Sequence, residues 1–127
     1  MREVVRTEKA PAPFQGAPYS QAIKANGFVF VAGQVGIKPD DPTPVGDGIR
    51  EQTEQTLMNL RAILEAAGSG MDKLVKTTVF LTNLADFQGM NEVYSKHVGD
   101  QPPARSTVEV ARLPSGALVE IEAVALA

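Results

Sequence analysis

Residues 102–125 read Pro-Pro-Ala-Arg-Ser-Thr-Val-Glu-Val-Ala-Arg-Leu-Pro-Ser-Gly-Ala-Leu-Val-Glu-Ile-Glu-Ala-Val-Ala, two alternating runs either side of Leu113-Pro114-Ser115-Gly116. Alternation with period two is the mark of a strand, and a Pro-Ser-Gly cluster is turn-forming, so the stretch predicts a β-hairpin. On the first run Ala104, Ser106, Val108 and Val110 share one face, and Arg105, Thr107 and Glu109 the other. On the second run Val119, Ile121 and Ala123 oppose Leu118, Glu120, Glu122 and Val124. With the turn centred on Pro114-Ser115, Glu109 falls opposite Glu120 and Thr107 opposite Glu122. One face of the predicted hairpin then gathers an arginine, a hydroxyl and three carboxylates, and a slip of one residue would dismantle it.

Outward from the hairpin, Phe87, Met90, Tyr94 and Val98 make the apolar face of a helix, with Asn83 as its cap, Asp86 in its first turn and Gly99 at its end. Gly89 inside that helix costs about 1 kcal/mol relative to alanine. Leu74 to Thr82 is β-branched and aromatic, which predicts a strand. Ile49 to Ala67 carries the strongest helical pattern, a stripe of Ile49, Thr53, Leu57, Leu60, Leu64 and Ala67, with Gly68 at the C′ position. Residues 38–48 and 10–18 each hold three prolines and read as loops. Tyr19 to Lys24 and Phe28 to Val35 predict two strands joined by Asn26-Gly27, a type I′ turn signal, and Arg2 to Thr7 a short edge strand. The order β-β-β-α-β-α-β-β implies right-handed parallel crossovers, with both helices on one side of a mixed sheet. The run Phe-Val-Phe-Val at 28–31 is apolar on both faces, so the side away from the helices needs cover. Another copy of the chain is the economical cover, which predicts a homo-oligomer.

The 127 residues predict one domain over 1–127, with 43% hydrophobic and 21% charged residues as in ordinary globular chains. Twelve basic against fifteen acidic side chains, net −3, argue against a nucleic-acid footprint. No cysteine is present, so disulfides, thiolate nucleophiles and cysteine metal sites are excluded. The N-terminus lacks the apolar run of a signal peptide and no stretch is long enough for a transmembrane helix, which predicts a cytoplasmic protein without membrane partners. The lone His97, near a helix end, reads as a group suited to the helix dipole rather than a metal ligand or general base. Gly68-Ser-Gly-Met follows a helix rather than a strand, so it is no dinucleotide loop. Carboxylate acid-base chemistry with arginine as an anion anchor remains.

Pro103-Ala104-Arg105-Ser106, Val108-Glu109-Val110, Leu113-Pro114 and Glu120-Ile121-Glu122-Ala123 together resemble the RidA/YjgF family of imine deaminases. Pro18-Tyr19-Ser20-Gln21-Ala22, Gly33-Gln34, Val75-Lys76-Thr77-Thr78-Val79 and Asp86-Phe87 with Asn91 extend the resemblance over essentially the whole chain. The resemblance implies an α+β, chorismate-mutase-like fold, a mixed six-stranded sheet with two helices on one face, assembled as a homotrimer with clefts between subunits. It implies hydrolysis of 2-iminopropanoate, 2-iminobutanoate and the enamine 2-aminoacrylate, released by pyridoxal-phosphate-dependent dehydratases, to 2-keto acids and ammonia, with no cofactor and no metal. Carried over residue by residue, Arg105 clamps the substrate carboxylate and Glu120 holds and activates water. Tyr19, Asn91, Thr107 and the Gly33 backbone line or support the cleft. Thr107 stands where many members have cysteine, and Ala32 where many have serine.

An arginine early in a strand is ordinarily a solvated charge; the face shared with Thr107 and the motif favour a ligand role for Arg105. In the hairpin register Arg105 and Glu120 sit roughly four residues apart, about 13 Å between backbones, to be bridged by long side chains or across a subunit interface. Glu109 and Glu122 therefore compete with Glu120, or serve as structural partners of Arg112 or Arg105. Tyr19 either borders the cleft or packs its proline-rich loop, and Asn91 reads as hydrogen-bonding support. Two other functions stand beside this one: a non-enzymatic binder whose trimer clefts hold small carboxylic acids, and an endoribonuclease or translation inhibitor, an activity the resemblance brings from some relatives and the acidic balance opposes.

Overall fold

Small and β-branched residues in strict alternation put the C-terminal strand at the centre of the sheet. The computed structural model describes residues 1–127. Its main sheet contains β1 (Arg2–Val5), β2 (Ala22–Ala25), β3 (Phe28–Val35), β6 (Leu74–Leu81), β7 (Ala104–Glu109) and β8 (Val119–Leu126), in the order β1-β2-β3-β8-β6-β7. β8 runs antiparallel to both β3 and β6, and β7 runs parallel to β6 along the outer edge. Two helices, α1 (Ile49–Ala66) and α2 (Phe87–Val98), pack on one face. This is the α+β arrangement of six strands and two helices expected from the sequence. Residues 38–48 are not simply a loop: β4 (Ile37–Lys38) and β5 (Asp41–Pro44) form a small second sheet, and within β5 the Asp41 Oδ1 accepts from the Thr43 amide at 2.9 Å.

The expected hairpin of 104–110 with 118–124 does not form. β6 lies between β7 and β8, with Thr77 paired to both Arg105 and Ala123, and Phe80 paired to Glu120. The residues after Glu109 do not fold back as a two-residue turn. Pro114–Gly116 instead makes a 3₁₀ turn in which Ser115 and Gly116 take φ of 59° and 69°. The chain thereby crosses the end of β6. The side chains explain this order. Val119, Ile121 and Ala125 are wholly buried, as suits a central strand under a helix, whereas β7 alternates half-buried with exposed residues, as suits an edge.

The helix face of the sheet (Val29, Val31, Val79, Leu81, Val119, Ile121, Ala123 and Ala125) meets Leu57, Leu60, Ile63 and Leu64 of α1 and Met90 of α2. Burying each of the large aliphatic side chains contributes about 1.5–3 kcal/mol. Gly68, φ 81°, ends α1 as expected. The expected cap Asn83 accepts from the Ala85 amide, but it closes a 3₁₀ turn, Leu84–Asp86, that leads into α2. Gly89 is explained by packing: a Cβ there would stand 2.7 Å from Ile49 Cγ2, so its helix-propensity cost permits the two helices to approach. His97 does more than face a helix end. Its Nε2 lies 2.8 Å from Glu54 Oε1, and Arg61 Nη2 lies 3.3 Å from its Nδ1, so the ring ties α2 to α1.

Beside its apolar stripe α1 carries a buried polar row that periodicity alone does not announce. Gln52, Thr56 and Asn59 recur at the spacing of one helical face. Asn59 Nδ2 donates to the carbonyls of Val35 and Ile37 at 3.0 and 2.8 Å. Gln52 donates to the Gly46 carbonyl at 2.7 Å and accepts from the Leu118 amide at 2.8 Å. This row fixes the irregular end of β3 and the start of β8, the two backbones from which a cavity is built.

Candidate active site

Gly33 and Gln34 follow the regular part of β3, where the ladder slips: three steps from Val31 to Gln34 oppose two from Ala123 to Ile121. The extra residue is a β-bulge, and Gln34 Nε2 closes it by donating to the Ala32 carbonyl at 3.1 Å. The slip keeps Gln34 inward like Val31 and leaves Val35 paired with Glu120 on the opposite, helix-free face. At the bulge the Glu120 carboxyl lies over Gly33 so closely that a Cβ would stand 2.7 Å from its Cδ. Gly33 thus leaves the space that the Glu120 carboxyl occupies.

Glu120 and Gly33 border a cavity of about 400 Å³ whose other walls include Phe14, Tyr19, Val35 and Pro114. Two turns of the same backbone shape frame it. Gln15-Gly16 has φ of 52° and 69°, Ser115-Gly116 has 59° and 69°, and each is followed by an alanine at φ −62°, ψ 151°. Gly16 and Gly116 supply the left-handed conformation at little cost. Tyr19 is fixed by its hydroxyl oxygen, which accepts from the Phe14 amide at 2.7 Å, leaving the O–H proton to be donated elsewhere. The Tyr19 loop is stitched to Gln21, which is 4% exposed, accepts from the Thr7 amide, and donates to the carbonyls of Thr7, Ala10 and Pro11. Burial in this largely apolar setting, and secondly the Glu122 carboxylate on the same face of β8, hold Glu120 above the usual 4.5. A larger hollow of about 620 Å³ shares Tyr19 but is lined by Arg6, Thr7, Glu8 and the stitched loop, away from Glu120.

Arg105, Thr107 and Asn91 assemble elsewhere. Arg105 and Thr107 pair with Thr77 and Val79, whose side chains are buried on the helix face. The Arg105 guanidinium carbon stands 4.8 Å from the centre of the Tyr94 ring and 5.5 Å from that of Phe87. A guanidinium over a ring face is attracted by it, and this contact uses none of its N–H donors on an oxygen. Arg105 takes part in neither of the two ion pairs of the chain. Asn91 shares the α2 stripe of Phe87 and Tyr94, and its Oδ1 and the Thr107 hydroxyl are both buried without a hydrogen-bond partner. Glu109 leaves the set of candidates: its Oε1 accepts from the Leu84 amide at 2.8 Å, capping the turn before α2.

The predicted residues therefore form two groups, Tyr19, Gly33 and Glu120 on the helix-free face and Arg105, Thr107 and Asn91 on the helix side. The single face expected for Arg105 and Glu120 is overturned by the insertion of β6, since Thr77 and Phe80, their partners on that strand, point oppositely. Sequence reasoning missed Tyr94 as a platform for Arg105 and read it only as core. The spacing of Phe87, Asn91 and Tyr94 on one helical stripe was the available signal. No group of histidine and carboxylate side chains is arranged to hold a metal ion.

The model of the family described as Endoribonuclease L-PSP, the RidA/YjgF family, matches residues 7–127. The chain belongs to the RidA/YjgF family. A RutC family protein of Pyrococcus abyssi is 52% identical over 124 residues, 98% of this chain and 96% of that protein. The mouse 2-iminobutanoate/2-iminopropanoate deaminase is 43% identical over 126 residues, covering 99% and 92% of the two chains. Among solved structures, Escherichia coli TdcF with bound serine superposes with a TM-score of 0.89 at 36% identity, covering 98% of each chain. RidA/YjgF relatives thus include named imine deaminases, which supports a hydrolase role in the family, and one solved with a small carboxylic acid. No helix of the chain is long and apolar enough to cross a membrane.

Proposed function

We propose that this RidA/YjgF protein is a 2-imino acid deaminase: it hydrolyses 2-iminopropanoate, 2-iminobutanoate and the enamine 2-aminoacrylate to 2-keto acids and ammonia. The observation that carries the reading is Arg105, half-buried, held by two aromatic faces and bonded to no carboxylate of its own chain. A guanidinium so placed can receive a substrate carboxylate through two parallel hydrogen bonds. Glu120 lies on the other face of the sheet, so one protomer cannot apply both groups to one small molecule. The cleft is therefore composite, with Arg105, Thr107 and Asn91 from one copy and Glu120, Gly33 and Tyr19 from the next.

A second copy also answers an exposed apolar surface. Phe30, Leu126, Val4 and Val108, on the helix-free side, are 46%, 49%, 42% and 42% exposed. Covering them by neighbouring copies in a closed ring removes that surface from water, and a homotrimer is the assembly we assign.

In the cleft the clamped 2-imino acid presents its C=N carbon to a water held by Glu120. The substrate reacts as its iminium: the carboxylate takes a proton from that water as the water oxygen adds to the carbon and the C=N electron pair moves onto nitrogen, giving the carbinolamine. Glu120 then returns the proton to the amino group of the carbinolamine, and as the C–N bond breaks the hydroxyl gives up its proton to the freed Glu120 carboxylate, so that ammonia and the 2-keto acid leave. A carboxyl held above its ordinary value suits both halves of this exchange. The Tyr19 O–H can donate to the substrate or the water, and the Thr107 hydroxyl and Asn91 carbonyl oxygen, without partners in the chain, gain them in the cleft.

The test generates 2-aminoacrylate with a serine dehydratase and follows imine decay with and without the protein. Acceleration lost in R105A is expected; acceleration that survives R105A removes the clamp. A second reading, a sensor that binds small carboxylic acids without turnover, draws on the serine found in TdcF. Saturable binding of 2-oxobutanoate with no effect on imine decay would select it.

A further inference from the structure

Thr77 is the residue directly beside Arg105 in the parallel ladder of β6 and β7. It is 1% exposed, and its Oγ1 lies 2.7 Å from the hydroxyl oxygen of Tyr94, itself 5% exposed. The same tyrosine ring carries the Arg105 guanidinium at 4.8 Å. Strand, ring and guanidinium close a loop: β6 holds the tyrosine by its tip, and the tyrosine holds the arginine of the neighbouring strand by its face.

We infer that Tyr94, anchored by Thr77, is the positioning residue of the anion clamp, setting the direction in which the Arg105 N–H edge points. A long arginine side chain at a sheet edge otherwise samples many rotamers, and a bidentate bond to a carboxylate requires one. The ring face confines the guanidinium to a plane. The Thr77 hydrogen bond confines the ring, because a buried tyrosine hydroxyl without its partner would tilt to find another. Phe87, 38% exposed on the same helix stripe, adds a second ring toward solvent. Neither Thr77 nor Tyr94 need touch the substrate. The inference rests on Arg105 being the carboxylate clamp of the proposed reaction.

The experiment uses the full-length protein and 2-oxobutanoate as a non-reacting carboxylate. T77V and Y94F remove the hydrogen bond and keep the bulk; each should raise the dissociation constant about fivefold. KM for the imine should rise in step, with kcat within about twofold of wild type. T77S should restore the wild-type value. Y94L, which removes the ring face, should cost about tenfold or more. The Arg105 side-chain Nε–H resonance, assigned by its loss in R105K, should be shifted by the ring current in wild type and move toward the free-arginine position in Y94L. A merely structural pair would lower Tm in T77V and Y94F while leaving the dissociation constant and KM unchanged, and that outcome overturns the inference. If wild type binds 2-oxobutanoate without speeding imine decay, the deaminase reading falls while the affinity series still supports the positioning role. Should wild type not bind it, the resonance decides: a shift that T77V and Y94L relax and T77S restores supports the inference, and one indifferent to them overturns it.

Discussion

The two halves of the site are made by different means. Around Arg105 the work is done by side-chain packing: an edge strand lays a cation against two rings of a helix, and a threonine fixes one ring. Around Glu120 it is done by backbone: a bulge, a glycine and two left-handed turns shape a cavity in which a carboxyl loses solvent. The first half sets a charge against rings, and the second sets a carboxyl where burial and Glu122 raise its pKa. The contrast teaches that, in the proposed reaction, neither half would be a site alone: a clamp without an acid would only bind, and an acid without a clamp would meet an unoriented substrate.

The largest effect should come from removing the proton carrier. E120Q is expected to lower kcat for imine hydrolysis by about 10²–10⁴ while leaving 2-oxobutanoate binding largely in place; a variant within threefold of wild type would remove Glu120 from the chemistry. R105K, by contrast, should raise KM about 10–100-fold, since a single ammonium replaces a bidentate fork. The two inactive halves can then be put together. Refolding a 1:1 mixture of E120Q and R105A chains should return about a quarter of the wild-type rate, because random assembly joins an intact Arg105 to an intact Glu120 in that share of clefts. A mixture no better than its parents would mean that the halves do not meet across an interface.

Smaller effects sharpen the contrast. G33A should fold, since the clashing group is the end of a flexible glutamate, but it displaces that carboxyl and should reduce kcat about tenfold with little change in 2-oxobutanoate affinity. The smallest concerns stability. The pKa of Glu120 is raised on folding, so the native state binds its proton more tightly than the unfolded chain. Its contribution to stability is fully present below 4.5 and is lost as pH rises through the raised value. E120Q should therefore melt above wild type near pH 7, with the difference vanishing as pH falls below 4.5. A variant that melts lower at pH 7 would show that the ionised carboxyl is stabilising after all.

How far these features could be read from sequence depended on their range. Strand β3 has the expected limits and α1 differs only at its last residue, because alternation, helical stripes and the Gly68 stop are local patterns. Asn26-Gly27, both at positive φ, forms the expected turn between β2 and β3 for the same reason. Strand order is not local. The alternation of 104–110 and 118–124 fits a hairpin and fits two strands separated by a third equally well; only the structure shows Ala123 and Ala125 buried under a helix on a central β8. The residue types of the site were legible from the motif, and their division between faces was not, since it follows from β6 lying between them. The roles of Gln52 and Asn59 escaped because their helical spacing does not say which backbone groups they meet, and Tyr94 reads as core because its partners, Thr77 and Arg105, lie on strands distant in sequence.

Gln21 has a consequence for the hollows that meet at Tyr19. Its side chain ties down Thr7, Ala10 and Pro11, and the Tyr19 hydroxyl is tied to Phe14, so the segment between the two hollows is pinned along its length. A wall pinned in this way has little freedom left to lose when a ligand settles against it, and less of the binding free energy then goes into ordering it.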